Sequence, residues 1–209
     1  MPDIVIRTGT LADRGAVQAL YRDVAATRGG LARHVDEITE GYVRDFVEHS
    51  LADGIFLIAE RATPRALVGE LHAYRNGLRN FSHVLGNLTV AVHPSAQGLG
   101  IGRRLFGMLL EQVHTHHPEI GRIELVAQES NVRAIALYES LGFRREGRFE
   151  AGSAVLTAVS KQTSRWPGCA RRIVHHRIPG KAAERAVGVP PVHPVQDRCQ
   201  LSGVTASRK

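Results

Sequence analysis

The stretch Asn87-Leu88-Thr89-Val90-Ala91-Val92-His93-Pro94-Ser95-Ala96-Gln97-Gly98-Leu99-Gly100-Ile101-Gly102-Arg103-Arg104 decides how the rest of the chain is read. Its first six residues read as a strand, and His93-Pro94 ends it because proline cannot donate to a central ladder. Beyond Arg104, Leu105, Leu109 and Val113 recur at i, i+4 and i+8 with Phe106 and Leu110 beside them, which is one apolar face of a helix. Between strand and helix, Gly98, Gly100 and Gly102 stand at alternate positions, so the backbone can approach a ligand without a Cβ in the way. The first turn of the helix presents about four N–H groups without intrahelical acceptors, at the positive end of its dipole. Such a turn suits a pyrophosphate, whose charge would offset the unfavourable placing of Arg103 and Arg104 there. A flexible turn with two solvated arginines is the competing reading. A P-loop is excluded because no Lys-Ser or Lys-Thr follows, and the glycine spacing is not that of a dinucleotide fingerprint.

Working outward, Ile4-Val5-Ile6 is a short strand, and Thr10 with Asp13 three residues later makes a capping-box start. The helix that follows runs through Val17, Leu20, Tyr21 and Val24 and stops at Gly29-Gly30. A second helix is marked by Ile38, Tyr42, Phe46 and Leu51, widened by Val43 and Val47, with Glu40, Arg44, Asp45 and Glu48 outside. Residues 55–60 and 66–74 read as an antiparallel hairpin turning at Thr63-Pro64, followed by a polar loop over 75–82. On the other side, Pro118 closes the glycine-turn helix and residues 123–127 form a strand. Residues 131–141 form a helix ended by Gly142, and 143–149 begin a further strand. The order β-α-α-β-β-β-α-β-α-β predicts an α/β fold, a mixed sheet with helices on its faces.

The glycine turn acquires a specific meaning from its partner motif. Gln97, Gly100 and Gly102, then Asn131, Ala134, Tyr138, Gly142 and Phe143, match Gln-x-x-Gly-x-Gly and Asn-x-x-Ala-x-x-x-Tyr-x-x-x-Gly-Phe. In this the chain resembles the GNAT superfamily of acetyl-CoA-dependent N-acetyltransferases, most sharply over residues 87–148 and more diffusely back to residue 4. The resemblance implies a centrally splayed sheet in which the strands around Val90 and Ile123 part to admit pantetheine. It implies backbone pairing near Val90 and Val92, and a cofactor site at Gln97, Gly98, Leu99, Gly100, Ile101, Gly102, Arg103, Asn131, Ala134 and Tyr138. Pre-placed strand N–H groups would then face the thioester oxygen, where negative charge accumulates. Tyr138 would point at the sulfur and serve as acid toward the departing thiolate. Read without the resemblance, Tyr138 is core filler, Asn131 an N-cap, and Arg103 and Arg133 solvated arginines.

A base is also needed, since an alkylamine of pKa about 10 arrives protonated. Many members of the superfamily carry Glu at the start of the strand before the glycine turn, where this chain has Asn87 and Thr89. Glu70 ranks first as substitute. His72, two residues on and facing the same way, and His83 are alternatives, as is a water chain without a single base.

Composition divides the chain. Residues 1–150 hold 17 arginines, no lysine and 18 acids, whereas 151–209 hold 10 basic residues and 2 acids, so the formal charge of +7 belongs to the tail. About 150 residues can bury a full core without a disulfide or metal. Cys169 and Cys199 lie in the tail without a partner motif, so no metal site is expected and a reducing compartment is the default. No secretory leader or membrane span is legible, which points to a soluble, cytoplasmic protein. Residues 154–159 read as one more strand, but from Lys161 onward periodicity is lost. The expected domain is therefore 1–150, extending to about 160 if that strand belongs to it, with an irregular basic tail over 161–209. The tail is a disordered extension, a second module, or the product of a frameshift near residue 151.

The function expected is acetyl-CoA-dependent transfer to a primary amine in a ternary complex, with a small-molecule acceptor. Protein N-terminal or lysine acetylation is the alternative within the class. A catalytically weak acyl-CoA-binding protein, or polyanion binding through the tail, are alternatives outside it. Nucleic acid is expected only as a nonspecific contact of the tail, no membrane partner is expected, and a homodimer is left open.

Overall fold

Five consecutive buried residues, Ile55-Phe56-Leu57-Ile58-Ala59, mark the middle of the sheet, where both faces are covered. The computed structural model describes residues 3–27, 30–151 and 154–163. The strands are β1 (Ile4–Thr8), β2 (Gly54–Arg61), β3 (Ala66–Tyr74), β4 (Val84–Val92), β5 (Arg122–Gln128), β6 (Arg144–Ala151) and β7 (Ala154–Gln162). The helices are α1 (Arg14–Ala25), α2 (Glu40–Asp53), α3 (Ile101–His116) and α4 (Val132–Ser140). The seven strands form one mixed sheet in the order β1-β2-β3-β4-β5-β7-β6.

Alternation along β2 sorts the core into two layers, as the period of a strand requires. Phe56 and Ile58 face the layer of Val17, Leu20, Tyr21, Val43, Phe46 and Val47 from α1 and α2. Ile55, Leu57 and Ala59 face the layer of Ile101, Leu105, Phe106 and Leu109 from α3, joined by Ile135 and Tyr138 of α4. The apolar periods of these helices therefore do what their sequence predicts. One position departs: Leu51 is 40% exposed, and Ser50 is buried instead, its hydroxyl donating to the carbonyl of Phe46. Leu51 lies five residues beyond Phe46, about 140° around the helix, so it leaves the stripe.

Two departures from the expected strands matter for the site. β4 begins at Val84, three residues before the alternation suggests, because the strand carries a bulge that breaks its period. Asn87, at φ 48, sits in it, between the pairs His72 with Thr89 and Tyr74 with Gly86. The second departure is at the far end. β7 carries the expected strand over 154–159 on to Gln162 and lies between β5 and β6, antiparallel to both. The sheet thus uses residues beyond 150. Residues 164–209, with both cysteines and nearly all the basic tail, lie outside the described residues.

The entry to α1 carries a testable charge. Asp13 accepts from Arg7 Nη2 at 2.8 Å, Arg7 Nη1 at 3.0 Å and the Thr10 backbone N–H at 2.7 Å. The hydrogen bonds from Arg7 lead in holding its carboxyl down at about 2 against the opposing effect of burial. A depressed carboxyl contributes stability that is present above the unfolded value near 3.9 and lost as pH falls through about 2. Asp13→Asn is expected to flatten the fall in stability between pH 4 and pH 2, measured by denaturant unfolding at each pH.

Candidate active site

The site begins where β4 and β5 part. They pair in parallel only at Val84 with Arg122 and Leu85 with Ile123. Beyond that point β4 stays on β3 and β5 stays on β7, so the two strands diverge with their facing edges open. Backbone N–H and C=O groups along Val90 to Val92 are left without a strand partner on that side, which is an edge ready for an extended ligand.

One cavity, about 570 Å³, lies at the open end of this cleft. Val90 and Val92 line it from β4, with Gln97, Gly98, Gly100, Ile101, Gly102 and Arg103 from the glycine turn, Asn131, Arg133 and Ala134 from the start of α4, and Tyr138 from its last turns. Every cofactor residue that the resemblance implies is among its walls except Leu99, whose side chain is 48% exposed. The turn is held open by local chemistry. Gly98 and Gly100 take φ of 80° and 75°, and a Cβ at either would meet nothing within 4 Å and would occupy open space. Gln97 Nε2 donates to the carbonyl of Val92 at 3.3 Å and ties the turn to the strand end. The first helical bond at this end runs from Arg104 N to Gly100 O at 3.1 Å, so the N–H groups of Ile101, Gly102 and Arg103 precede it. Across the cavity, Asn131 Oδ1 accepts from Ala134 N at 3.1 Å, the expected N-cap, and Gly142 at φ 85 ends α4 as a left-handed residue. Arg103 Nη2 donates to Ser140 Oγ at 2.7 Å and links the two walls.

Tyr138 is 6% exposed and packs against Phe106 and Phe143, with ring centroids at 5.4 and 6.2 Å. Its hydroxyl meets the cavity and has no hydrogen-bond partner among the described residues. Burial pushes it up to about 12.

A second cavity, about 700 Å³, is lined by the preceding residues of β4, Leu88 and Thr89, where Val90 and Val92 line the first. Its walls include Tyr21, Tyr42, Phe46, His72 and Tyr74, the bulged Asn87, and Val126 and Ala158 from β5 and β7. The strand β7, which lies past residue 150, therefore helps to build it.

Tyr21 and His72 of this wall belong to a buried polar triad whose third member, Glu70, lies behind them; the part of Tyr21 in it carries no sequence signal. Glu70 and His72 do share a face of β3, as their spacing predicts. Tyr21 joins them from α1, its hydroxyl donating to Glu70 Oε2 at 2.6 Å, while His72 Nδ1 lies 3.0 Å from Glu70 Oε1 and 3.2 Å from the Tyr21 oxygen. Burial, followed by the charge of Glu70, raises Tyr21 well above the ordinary tyrosine value, so its hydroxyl keeps the proton that it gives to Glu70. With one carboxylate oxygen taken by Tyr21, the other accepts from Nδ1–H, and this assigns the tautomer. Nε2 is left as an acceptor with no protein partner among the described residues. His72 lines the cavity, stacked on Phe46 at 4.0 Å between centroids. Glu70 is fully buried and lines neither cavity, so the carboxylate ranked first as base stands behind the imidazole instead. His83 also lines neither cavity and lies at the closed end of the cleft, its carbonyl accepting from Gly121 and Arg122.

Among the described residues there is no group of three or more His, Cys, Asp or Glu that could hold a metal. No helix among them is long and apolar enough to cross a membrane.

The splayed sheet carries a glycine-turn cleft and, further along the parting strand, an aromatic pocket. Comparison with known proteins names the class. The signature described as acetyltransferase (GNAT) family matches residues 18–143. The chain is similar to the mycothiol acetyltransferase of Thermomonospora curvata, 48% identical over 56 residues, which are 27% of this chain and 18% of that protein. The ribosomal-protein-alanine N-acetyltransferase of Brucella melitensis superposes with a TM-score of 0.66 at 27% identity, covering 76% of this chain and 99% of that one. The yncA protein of Salmonella typhimurium, solved with its cofactor acetyl-CoA, is alike in fold, with a TM-score of 0.61 at 20% identity over 77% of this chain and 94% of that one. The chain spans only 15% to 34% of the length of the first four curated relatives it matches. This protein belongs to the acetyltransferase (GNAT) family, a family of acyltransferases.

Proposed function

We propose that this protein transfers an acetyl group from acetyl-CoA to the primary amine of a small molecule by direct attack within a ternary complex. The observation that carries this reading is the succession of two cavities along β4, the one lined by the glycine turn and Tyr138, the other by His72. Residues of the first cavity fit the cofactor. The open glycine turn and the free N–H groups of α3 suit a pyrophosphate, and the unpaired edge of β4 suits an amide-bearing arm. When bound, acetyl-CoA supplies a thioester carbonyl carbon for attack.

The remaining steps belong to this chain. His72 Nε2 accepts the proton of the acceptor amine, with Glu70 holding the ring and stabilising the charge it gains, and Tyr21 fixing Glu70 in turn. A new bond from nitrogen to the acetyl carbon forms as the bond from that carbon to sulfur breaks. Backbone N–H groups on the open edge of β4 hold the carbonyl oxygen as charge gathers on it. Tyr138 meets the departing sulfur as a hydrogen-bond donor. With its hydroxyl at about 12 and a thiol ordinarily near 8.5, full proton transfer is uphill, so the hydrogen bond carries the stabilisation. A direct route is supported by the absence of cysteine from residues 1–150 to carry an acetyl group. A domain with no disulfide to form also supports a cytoplasmic setting, which belongs to the same proposal.

Calorimetric titration of acetyl-CoA tests the first half, with one site per chain expected; an amine panel with detection of released thiol tests the second. Gly100→Ala is expected to cost about 1 to 2 kcal/mol of stability through its left-handed φ. It should also weaken acetyl-CoA binding about tenfold or more, because the methyl occupies the cradle. Unchanged affinity in a folded variant would place the cofactor elsewhere.

A further inference from the structure

The acceptor-side cavity holds a charge that the reaction does not use. Two arginines line it, Arg33 and Arg122. Arg122 is spent on Glu124, at 3.0 Å, and on Glu146. Arg33 has no carboxylate within ion-pair reach among the described residues. Of the two carboxylates on the cavity wall, Glu124 is paired with Arg122, and Glu37 accepts on Oε2 from the backbone N–H of His34 at 2.7 Å. Arg33 is instead laid over the ring of Tyr42, its Cζ 4.2 Å from the centroid. That stack fixes a long side chain in place without neutralising it.

The rings between Arg33 and the base form a continuous wall. Tyr42 touches Phe46 edge-on at 5.2 Å between centroids, and Phe46 stacks on His72 at 4.0 Å. One end of the cavity therefore takes a proton from an amine, and the other presents a planar cationic fork on an aromatic support. Between them the surface is apolar and aromatic, suited to a carbon skeleton. Arg33 is exposed at the mouth of the cavity, and a guanidinium held this way pairs with a carboxylate through two parallel hydrogen bonds, whereas an acceptor that lacks one leaves it to water.

We propose that the acceptor is an amine that also bears a carboxylate, read by Arg33: an amino acid or amino-carboxylate, taken as the free acid. The inference rests on the acetyl-transfer reading and adds the acceptor's second functional group to it. The amine nitrogen displaces the thiolate from the acetyl carbon, giving an N-acetyl acid and free thiol, and the carboxylate takes no part in bond exchange.

The test uses the full chain with acetyl-CoA and matched acceptors: phenylalanine, leucine, their amides, and the amines lacking the carboxyl group. The free acids are expected to show kcat/KM about 10- to 100-fold above their amides, the range for one hydrogen-bonded charge pair. This preference runs against intrinsic reactivity, because the amide's amine is less basic and is more often unprotonated. Arg33→Gln should erase the preference mainly through KM, and Arg33→Lys should retain part of it. Amides or carboxyl-free amines turned over as well as the acids, or a preference that survives Arg33→Gln, would overturn the carboxylate proposal and leave acetyl transfer standing.

No turnover of any acceptor, with acetyl-CoA bound, would count against the transfer reading instead. Calorimetric binding of N-acetylphenylalanine in the presence of CoA then decides the role of Arg33 separately. Binding lost in Arg33→Gln sustains that role, and no binding to the unaltered protein, or equal binding to both, ends it.

Discussion

Replacing His72 by glutamine is expected to lower kcat/KM for amine acetylation by about 100- to 10,000-fold, the range for loss of a positioned general base. Acetyl-CoA affinity should be unchanged, because His72 is absent from the walls of the glycine-turn cavity. Glutamine keeps a polar group near Glu70 Oε1, so the buried carboxylate is not left wholly unpaired by the change. The diagnostic readout is the dependence on the acceptor. Without a base, the variant acts only on amine that arrives already unprotonated, so its rate should climb steadily with pH toward the acceptor's own pKa. A weakly basic amine should then recover most of the lost rate, whereas an alkylamine should recover little. A folded variant that keeps a third or more of kcat with an unaltered pH profile would remove His72 from the mechanism and favour a water chain.

Tyr138→Phe is expected to reduce kcat about 10- to 100-fold, the cost of one hydrogen bond to a developing anion. KM for the acceptor should move little. The substitution removes one oxygen and keeps the ring against Phe106 and Phe143, so the packing of α4 is retained. The pH dependence follows from the raised hydroxyl. A group held at about 12 stays protonated through pH 10, so Tyr138 imposes no alkaline loss of kcat between pH 8 and 10. The same shift links to stability. A folded-state value raised above the unfolded one near 10 contributes stability that is intact below pH 10 and lost as pH rises through about 12. Turnover in Tyr138→Phe equal to that of the unaltered protein would return the tyrosine to the core, as its place on an apolar helix face first suggests.

The glycine-turn side of the site was legible in the sequence, and the wall around His72 was not. The glycine turn, the Asn131 cap, Tyr138 one helical turn beyond Ala134, and the left-handed Gly142 are all local, written within windows of a dozen residues by turn chemistry and helical period. Tyr21 and Glu70 are 49 residues apart and meet only because α1 packs across the face of β3 that carries Glu70 and His72. Their spacing on β3 placed both on one face but could not say which would reach the cavity. The early start of β4 was hidden by the bulge at Asn87, which interrupts the alternation on which a strand is recognised.

The last strand makes the same point on a larger scale. Residues 154–159 are apolar enough to suggest a strand, and nothing in them says where it goes. Hydrogen bonding to β5 on one side and β6 on the other puts β7 inside the sheet and brings Ala158 and Val159 to the acceptor cavity. By itself the sequence determined the element order, the mixed α/β class and the open glycine turn before α3, because each follows from backbone geometry and hydrophobic period over short range. Only the tertiary structure decided that His72, held by Glu70 beside Tyr21, lines the second cavity, because those contacts join segments far apart in the chain.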